Sequence, residues 1–270
     1  KPIVFDELIN FTEWLVEHRR LTEGSRPYRL FRRWNAWLVK RCRFILADTA
    51  AHAEYSSKLN MLSIDRYRVL PVCADETVFR PATTPAGPRQ PFTVVYYGSM
   101  LALHGLEYVL RAAERLKDRP DIEFRLIGGK PAVAQACREA AEAGARVRHE
   151  QWVAFEKLPA IVAGAGLVLG GPFGGTLQSR FVVTGKTYQA LAAAAPVLVG
   201  QNEVHDGFAD KRNCLMVPQA DPAALAAAVS WAAEHPAELA KIGPAGRQLY
   251  EERFSQAVVN GLMKDIIKAL

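Results

Sequence analysis

The sequence predicts an α/β protein in which a parallel β-sheet is covered by helices on both faces. Apolar runs of strand length alternate with amphipathic segments of helix length through most of the 270 residues. Strands alternating with helices in this way are typical of parallel sheets. A stretch rich in proline and glycine, RPATTPAGPRQP from Arg80 to Pro91, interrupts the pattern and predicts a linker between two units.

Before the linker, the chain contains too few strands for a complete domain. RFILADT predicts a buried strand, a helix follows over Ala50 to Leu62, and RYRVLPV predicts a second strand. The chain opens with KPIVFDELIN, without a methionine and in mid-strand. We therefore expect residues 1–81 to be the C-terminal part of a domain that begins upstream of Lys1.

After the linker, the alternation becomes regular. Strands are predicted at FTVVYYG, IEFRLIGG, RVRHEQ, GLVLGG, PVLVG and CLMVP. Helices are predicted at GLEYVLRAAERLK, FEKLPAIVAGA and DPAALAAAVSWAAEH, from Ala132 to Ala143, from Lys186 onward, and twice more before the end of the chain. With 82–91 as the linker, we expect a Rossmann-like domain over 92–252. Residues 253–270 are then a C-terminal helix positioned to pack back on the first domain.

Composition argues against several classes of protein. Half of the residues are apolar and 23% are charged, as in soluble globular domains. The sequence contains neither a signal peptide nor an apolar run of the roughly 18 to 20 residues that cross a bilayer. The scattered cysteines predict buried free thiols in a reducing compartment rather than a zinc site, and we expect a cytoplasmic protein. They are Cys42, Cys73, Cys137 and Cys214.

The net charge of +6 is concentrated near the N-terminus. From Arg19 to Arg43 there are nine Lys or Arg side chains and a single acidic residue, Glu23. Apolar side chains, including Trp34 and Trp37, are interleaved at helical spacing. Two interpretations remain open: a surface helix whose aromatic face packs on its own core, or a helix over 28–43 that rests on anionic lipid headgroups. Nucleic acid is not expected, because no second basic stripe accompanies this one.

The tetrapeptide TGKT at 184–187 resembles the end of a nucleotide-binding P-loop. The first glycine of that motif is missing, because Arg180 stands in its place. No Asp or Glu occurs between Glu156 and Glu203, so this region lacks the carboxylates that hold magnesium in phosphoryl transferases. Lys186 lies in the first turn of a predicted helix, where the macrodipole disfavours a cation. This placement favours a polyanion site without a metal, and the alternative is an exposed lysine that tolerates the small cost.

Two further loops follow the carboxyl ends of predicted strands, where ligands bind in parallel sheets. The loop YGSMLALHG contributes Gly98, Ser99, His104 and Gly105. The loop IGGKP contributes Lys130. Glycines allow the backbone to approach a ligand, and helix N-termini attract anions. His104 can equally be a cap or packing residue, and Lys130 a solvated one.

At this point the residues resemble a known family. VVYYGSMLALHGLEYVLRAAERL, IEFRLIGG, LVLGG and KTYQALAAAAPVLVGQNEVHDGFADKRNCLMVPQADPAALAAAV resemble the donor-binding half of a group 1 (family 4) glycosyltransferase of the GT-B fold. FILADTAAHAEYSSKLNMLSIDRYRVLPVCADETVFRP resembles the end of the acceptor-side domain and the crossing segment. The resemblance covers most of the chain from about Trp34. It implies a Rossmann-like sheet domain of GT-B type with a partial second α/β domain.

The sequence departs from the family pattern at the donor site. Members commonly carry a lysine and a second basic residue where this chain has His104 and Ser99, and an E-x7-E pair where it has Phe181 and Gln189. It resembles a subgroup with FG-x-T…K…V-x-x-x-K-x-Y-Q-A-L-A, in which Lys186 neutralises the diphosphate. The residues that the motifs and this resemblance together assign to donor binding are Gly98, Ser99, His104, Gly105, Lys130, Phe173, Gly174, Thr176, Arg180, Lys186, Thr187 and Gln189.

The implied activity is transfer of a sugar from a UDP- or GDP-type donor to a glycan or lipid-linked acceptor. The resemblance implies retention of configuration, a nucleotide sugar as substrate, and neither a metal nor another cofactor. It is typical of bacterial polysaccharide biosynthesis in the cytoplasm, at the inner face of the membrane if the basic helix binds lipid. A catalytic side chain is expected in the acceptor domain, upstream of Lys1. The alternative is a non-catalytic GT-B-like protein that binds a nucleotide or glycan, because both signature glutamates are lost.

Overall fold

A computed structural model describes residues 1–17, 20–82 and 90–270 of the chain. Its strands are β1 Val4–Asp6, β2 Phe44–Ala47, β3 Tyr67–Val69, β4 Phe92–Tyr97, β5 Ile122–Ile127, β6 Val147–Glu150, β7 Leu167–Leu169, β8 Val197–Gln201 and β9 Leu215–Pro218. Its helices are α1 Phe11–Glu17, α2 Arg26–Val39, α3 Ala50–Asn60, α4 Leu106–Arg115, α5 Pro131–Glu142, α6 Leu158–Ala163, α7 Gly185–Ala192, α8 Pro222–Glu234, α9 Pro236–Arg253 and α10 Gln256–Lys268.

The strands form two parallel sheets. The smaller sheet has the order β1-β2-β3, and the larger has the order β6-β5-β4-β7-β8-β9. In the larger sheet the chain moves outward from β4 to β6, then returns to the other side of β4 at β7. This is the strand order of Rossmann folds, in which ligands bind outside the carboxyl ends of the two strands at the reversal. The loops after β4 and β7 therefore occupy the expected position for a ligand site.

Strand β4 shows why the apolar runs of this sequence are continuous. Val94 and Tyr96 belong to one hydrophobic cluster, while Val95 and Tyr97 belong to a second cluster on the other face of the sheet. Successive side chains of a strand point to opposite faces, so a strand covered on both faces needs an apolar residue at every position. The sequence-based fold class is thus confirmed by a parallel sheet with helices packed on both sides.

The smaller sheet packs against the C-terminal helix. Phe44 and Leu46 of β2 form a cluster with Ile266 and Met263 of α10. The segment after β3 packs instead on the larger unit, where Ala74 donates its backbone N–H to the hydroxyl of Tyr250 at 3.1 Å. These contacts connect the two sheets through the last two helices of the chain.

Most of the elements were predicted from the sequence with small shifts at their ends, and two regions differ. FEKLPAIVAGA divides into a short 3₁₀ turn over Phe155–Lys157 followed by α6. Helix α1 was not predicted. The predicted linker lies largely outside the described residues, because 83–89 are not among them. In the described part of the chain, no helix combines the length and apolar character needed to cross a bilayer.

Two surface expectations need correction. Cys42, Cys137 and Cys214 are buried free thiols as predicted, but Cys73 is only half-buried. Trp34 and Trp37 of α2 are 50% and 51% exposed, so the interpretation in which they pack on the protein's own core is wrong. The buried face of α2 is formed by other side chains, namely Tyr28, Asn35, Ala36 and Val39.

Candidate functional site

The candidate site lies at the carboxyl ends of β4 and β7, which are neighbours in the larger sheet. Residues 98–105, here called the first loop, lead from β4 to α4, and residues 170–184, here called the third loop, lead from β7 to α7. The two loops touch, since Gly174 donates its N–H to the carbonyl oxygen of Leu103 at 2.9 Å. A side chain at Gly105 would overlap the backbone of Phe173 and Gly174, so glycine is required for this contact.

Lys186 is the central cation of this crevice. Its side chain extends from the first turn of α7 to the first loop, where Nζ lies 3.3 Å from Nε2 of His104. A methyl group at Gly98 would stand 3.6 Å from the same Nζ, so the lysine reaches the loop after β4 directly. Lys186 is only 6% exposed, which excludes the alternative of an exposed lysine.

Burial controls the charge of this pair of residues. It lowers the pKa of Lys186 from 10.5 to about 7, because a desolvated ammonium is unfavourable. Burial, and then repulsion by Lys186, lower the pKa of His104 to about 3, so the imidazole is neutral at physiological pH. The only aromatic ring that faces the amine in the described contacts is that of Tyr96, whose centroid lies 5.4 Å from Nζ.

The N-terminus of α7 has no side-chain cap. Thr184 stands at the N-cap position, but its hydroxyl donates to the carbonyl oxygen of Gly170 at 2.6 Å instead of accepting from the helix. The first turn of a helix contains N–H groups with no acceptor inside the helix. A side chain at Gly185 would meet nothing within 4 Å, so space is open at this helix end. The positive end of α7 and Lys186 are therefore both suited to an anion.

Other predicted site residues support the crevice without facing it. Phe173 is 1% exposed and packs on Tyr96 inside the core. Thr176 accepts the N–H of Ser179 at 3.2 Å and so caps a short turn. Gln189 accepts a 2.7 Å hydrogen bond from the hydroxyl of Tyr97, at the end of β4. These contacts hold the third loop and α7 against the sheet.

The remaining predicted residues differ in their exposure. Thr187 is fully buried, and a side chain at Gly170 would overlap its hydroxyl. Ser99 and Lys130 are exposed, on the loops after β4 and β5. Arg180 is not brought to Lys186, because its guanidinium is exposed and forms an ion pair with Glu203. That partner is the first acidic residue after the carboxylate-free interval, so the interval does not leave Arg180 without a counter-ion.

Comparison with known families decides the class of this protein. The sequence model of the family described as "Glycosyl transferases group 1" matches residues 91–235, more than half of the chain. The chain belongs to the group 1 glycosyl transferases. This confirms the resemblance, and the matched span contains the first loop, the third loop and Lys186. A comparison with curated protein sequences finds no match.

Solved structures agree on the fold of this glycosyltransferase. HepE from Anabaena, solved in complex with UDP-glucose, is 14% identical with a TM-score of 0.80, over 100% of this chain and 73% of that one. Sucrose-phosphate synthase from Thermosynechococcus elongatus is 17% identical with a TM-score of 0.75, over 98% of this chain and 67% of that one. TarM from S. aureus, with UDP, fondaparinux and α-GlcNAc-glycerol, is 12% identical with a TM-score of 0.69, over 86% and 45%. The GT-B fold is thereby confirmed.

A groove between the two sheets of the glycosyltransferase was missed by the sequence analysis. The third loop forms one wall, where Phe181 stacks on Tyr55 of α3 with ring centroids 4.4 Å apart. His52 of α3 lies on the opposite wall, and its Nδ1 is 2.7 Å from Oδ1 of Asp48. The signal was present in the sequence, because D-x-x-x-H places the two side chains one helical turn apart.

Buried polar side chains support the far wall of this groove. Glu7 is 1% exposed and accepts from Nδ2 of Asn10 at 2.9 Å and from Nδ2 of Asn60 at 3.3 Å. Burial raises the pKa of Glu7, while the nearby imidazole of His52 acts in the opposite direction. Among the described residues, no group of three or more His, Cys, Asp or Glu side chains could hold a metal ion.

Proposed function

We propose that this glycosyltransferase moves a sugar from a nucleoside-diphosphate donor whose diphosphate is bound by Lys186. The observation that carries the proposal is a buried lysine at an uncapped helix N-terminus, placed at the strand-order reversal of a Rossmann-like sheet. Family membership supports it, as does the UDP-glucose in the structure of HepE, which shares this fold. A UDP- or a GDP-type nucleotide satisfies the same diphosphate chemistry.

The proposed reaction needs charge neutralisation at the leaving group. The bond between the sugar's anomeric carbon and the diphosphate oxygen breaks, and negative charge develops on that oxygen. Lys186 and the first-turn N–H groups of α7 would stabilise this charge in a site that is already oriented before reaction. These groups take the place that magnesium has in many phosphate-binding enzymes, which supports a metal-independent reaction. Retention of configuration is the stereochemical outcome that the family resemblance implies.

The groove between the sheets is suited to the acceptor. Its volume is about 360 Å³, within the range of small-molecule sites of roughly 300 to 1,000 Å³. The third loop contributes to both the donor crevice and this groove, so a donor sugar and an acceptor hydroxyl could meet along it. Asp48 engages Nδ1 of His52, which leaves Nε2 for a molecule in the groove. A glycan or lipid-linked glycan fits this mixture of aromatic and polar walls.

Helix α2 supports contact with a membrane surface. Leu30, Trp34 and Trp37 are 69%, 50% and 51% exposed, and the guanidinium of Arg41 lies 3.4 Å from the ring centroid of Trp37. Exposed tryptophans beside arginines suit the interface between lipid headgroups and acyl chains. Such contact would place the enzyme at the inner face of a bacterial membrane, where lipid-linked glycans are made.

Calorimetric titration with UDP, GDP and their glucose and mannose conjugates tests the donor proposal. We expect one nucleotide series to bind, and its sugar conjugate to be consumed when an acceptor panel of glycans and lipid-linked glycans is added. Binding that fails for every nucleotide would overturn the proposal. Binding without transfer to any acceptor would leave a donor site and overturn the acceptor assignment.

Vesicle sedimentation tests the membrane contact separately. We expect binding to vesicles with anionic lipids, little binding to neutral ones, and loss of binding in the double variant Trp34→Ser/Trp37→Ser. Trp152→Ser is the matched control, because Trp152 is 77% exposed and lies far along the chain from α2. Equal loss in the control, or equal binding to neutral vesicles, would overturn the assignment to α2.

A further inference from the structure

Two nitrogen atoms face each other in the donor crevice. Nζ of Lys186 and Nε2 of His104 are 3.3 Å apart, and both residues are buried. A hydrogen bond needs one donor and one acceptor, and an ammonium group has no acceptor. The protonation of Lys186 therefore depends on which ring nitrogen of His104 carries the hydrogen.

The backbone of the first loop determines that tautomer. Leu101 donates its N–H to Nδ1 of His104 at 3.1 Å, so Nδ1 must be the acceptor nitrogen. The neutral imidazole then carries its hydrogen on Nε2, the atom that faces Lys186. Only an uncharged amine has a lone pair that can accept this hydrogen. The geometry of the ligand-free site thus favours Lys186 as a neutral amine.

The other groups around Lys186 offer no counter-charge. From β4, the hydroxyl of Tyr96 donates to the carbonyl oxygen of His104 at 2.6 Å, and its ring faces Nζ. On α7, the side chain of Gln189 is engaged by the hydroxyl of Tyr97. Among the described residues, no carboxylate forms an ion pair with Lys186, and burial alone accounts for its lowered pKa of about 7.

We propose that binding of the donor's diphosphate takes up one proton from solvent, which converts the Lys186 amine to an ammonium. This inference rests on the proposed function, because it concerns the same donor site. The anion supplies the negative charge that the free site lacks, so the ammonium can donate to phosphate oxygens. The Nε2–H of His104 is then free to donate to the anion as well. No bond of the donor breaks in this step, and the proton returns to solvent when the nucleoside diphosphate leaves.

Proton uptake makes donor affinity depend on pH. Where the free lysine is neutral, each bound donor brings in one proton, so the association constant falls about tenfold per pH unit. Where it is already charged, the dependence disappears. Donor binding is therefore tighter at mildly acidic pH, although the titrating group is buried and has no acidic partner in the described contacts.

Calorimetry with UDP-glucose in the absence of acceptor measures this uptake. Both phosphates of UDP-glucose are diesters, whereas the terminal phosphate of UDP has a second pKa of about 6 and would itself exchange protons. Titrations at one pH in buffers of different ionisation enthalpy give the number of protons as the slope of heat against that enthalpy. We expect about one proton at about pH 8.5 and close to none at about pH 6. In Lys186→Met the slope is near zero at both values.

The outcomes separate the two proposals. UDP-glucose or GDP-mannose that binds without proton uptake at either pH overturns this inference and leaves the proposed function intact. Failure of every nucleotide sugar to bind overturns both. A ligand-free measurement gives a second decision: long-range ¹H–¹⁵N NMR of His104 is expected to show the Nε2–H tautomer at neutral pH. An Nδ1–H tautomer or an imidazolium there would overturn the inference even if protons are taken up.

Discussion

The hydroxyl of Thr49 donates a 2.5 Å hydrogen bond to the carbonyl oxygen of Phe181, across the groove between the two sheets. The same hydroxyl accepts the N–H of His52 at 3.0 Å and so caps α3. Thr49 is fully buried, so neither bond competes with water. One side chain thereby fixes both the start of α3 and the position of the third loop.

Replacement of this hydroxyl should destabilise the protein. Thr49→Val keeps the shape of the side chain but leaves the carbonyl oxygen of Phe181 and the N–H of His52 unpaired, which costs about 1–3 kcal/mol in the free energy of unfolding. Urea denaturation measures the loss. Thr49→Ser is the matched control, because it retains the hydroxyl and should lose much less. Equal losses in the two variants would show that packing of the methyl group, rather than the two bonds, stabilises this junction.

Lys186 should make stability depend on pH in the ligand-free protein. Its pKa is about 7 when folded and 10.5 as an ordinary lysine, so between these values the unfolded chain binds one proton more than the folded chain. The free energy of unfolding then rises with pH, at about 1.4 kcal/mol per pH unit. Lys186→Met removes this contribution. The stability difference, wild type minus variant, should increase from about pH 7 to about pH 10 with that slope.

Urea denaturation of both proteins at several pH values gives this slope. Lys130→Met is the control, because Lys130 is exposed and its replacement should leave the pH dependence of wild type unchanged. A flat difference for Lys186→Met would mean that the ammonium stays charged in the folded protein. It would then contradict the neutral amine on which the proton-uptake inference depends.

The fold was predictable because its signals are local. Each strand of the larger sheet is a short apolar run, and helix α8 begins at Asp221, whose carboxylate accepts from Ala223 and Ala224 as an N-cap. The position of Lys186 at a helix start was likewise readable from TGKT. The strand-order reversal could be expected from the alternation, and it placed the site at the correct edge of the sheet.

The burial of Lys186 was not predictable from the sequence. It depends on His104, 82 positions away in the chain, and a local pattern does not show which loop covers a helix end. The same holds for Arg180, whose partner Glu203 is 23 positions away. The exposure of Trp34 and Trp37 was also missed, since helical spacing shows that residues share a face and not what that face contacts. Tertiary contacts decided these cases.

Arg180 should contribute little to donor binding. Its guanidinium is 53% exposed and paired with Glu203, and exposed ion pairs are worth about 0–1 kcal/mol. We expect Arg180→Gln to change the affinity for UDP-glucose less than about twofold, and stability by less than about 1 kcal/mol. Lys186→Met, measured beside it by calorimetry, should lose about 1.5–3 kcal/mol of binding free energy. A comparable loss in Arg180→Gln would return Arg180 to the donor site.

His52 should act on the acceptor and not on the donor. Asp48 fixes its Nδ1 at 2.7 Å and thereby orients the imidazole in the groove. His52→Gln removes the ring nitrogen available to the acceptor, and we expect kcat/KM for the acceptor to fall at least about tenfold, toward the 10²–10⁴-fold typical of acid–base side chains. The Kd for UDP-glucose, measured without acceptor, should change less than about twofold, because the donor diphosphate lies beside Lys186. Asp48→Asn keeps a hydrogen-bond acceptor for Nδ1 but loses the charge, so a smaller decrease with a shifted pH profile is expected. Urea denaturation separates these effects from unfolding, and a loss of donor affinity equal to the loss of kcat/KM would contradict the assignment of His52 to the acceptor groove.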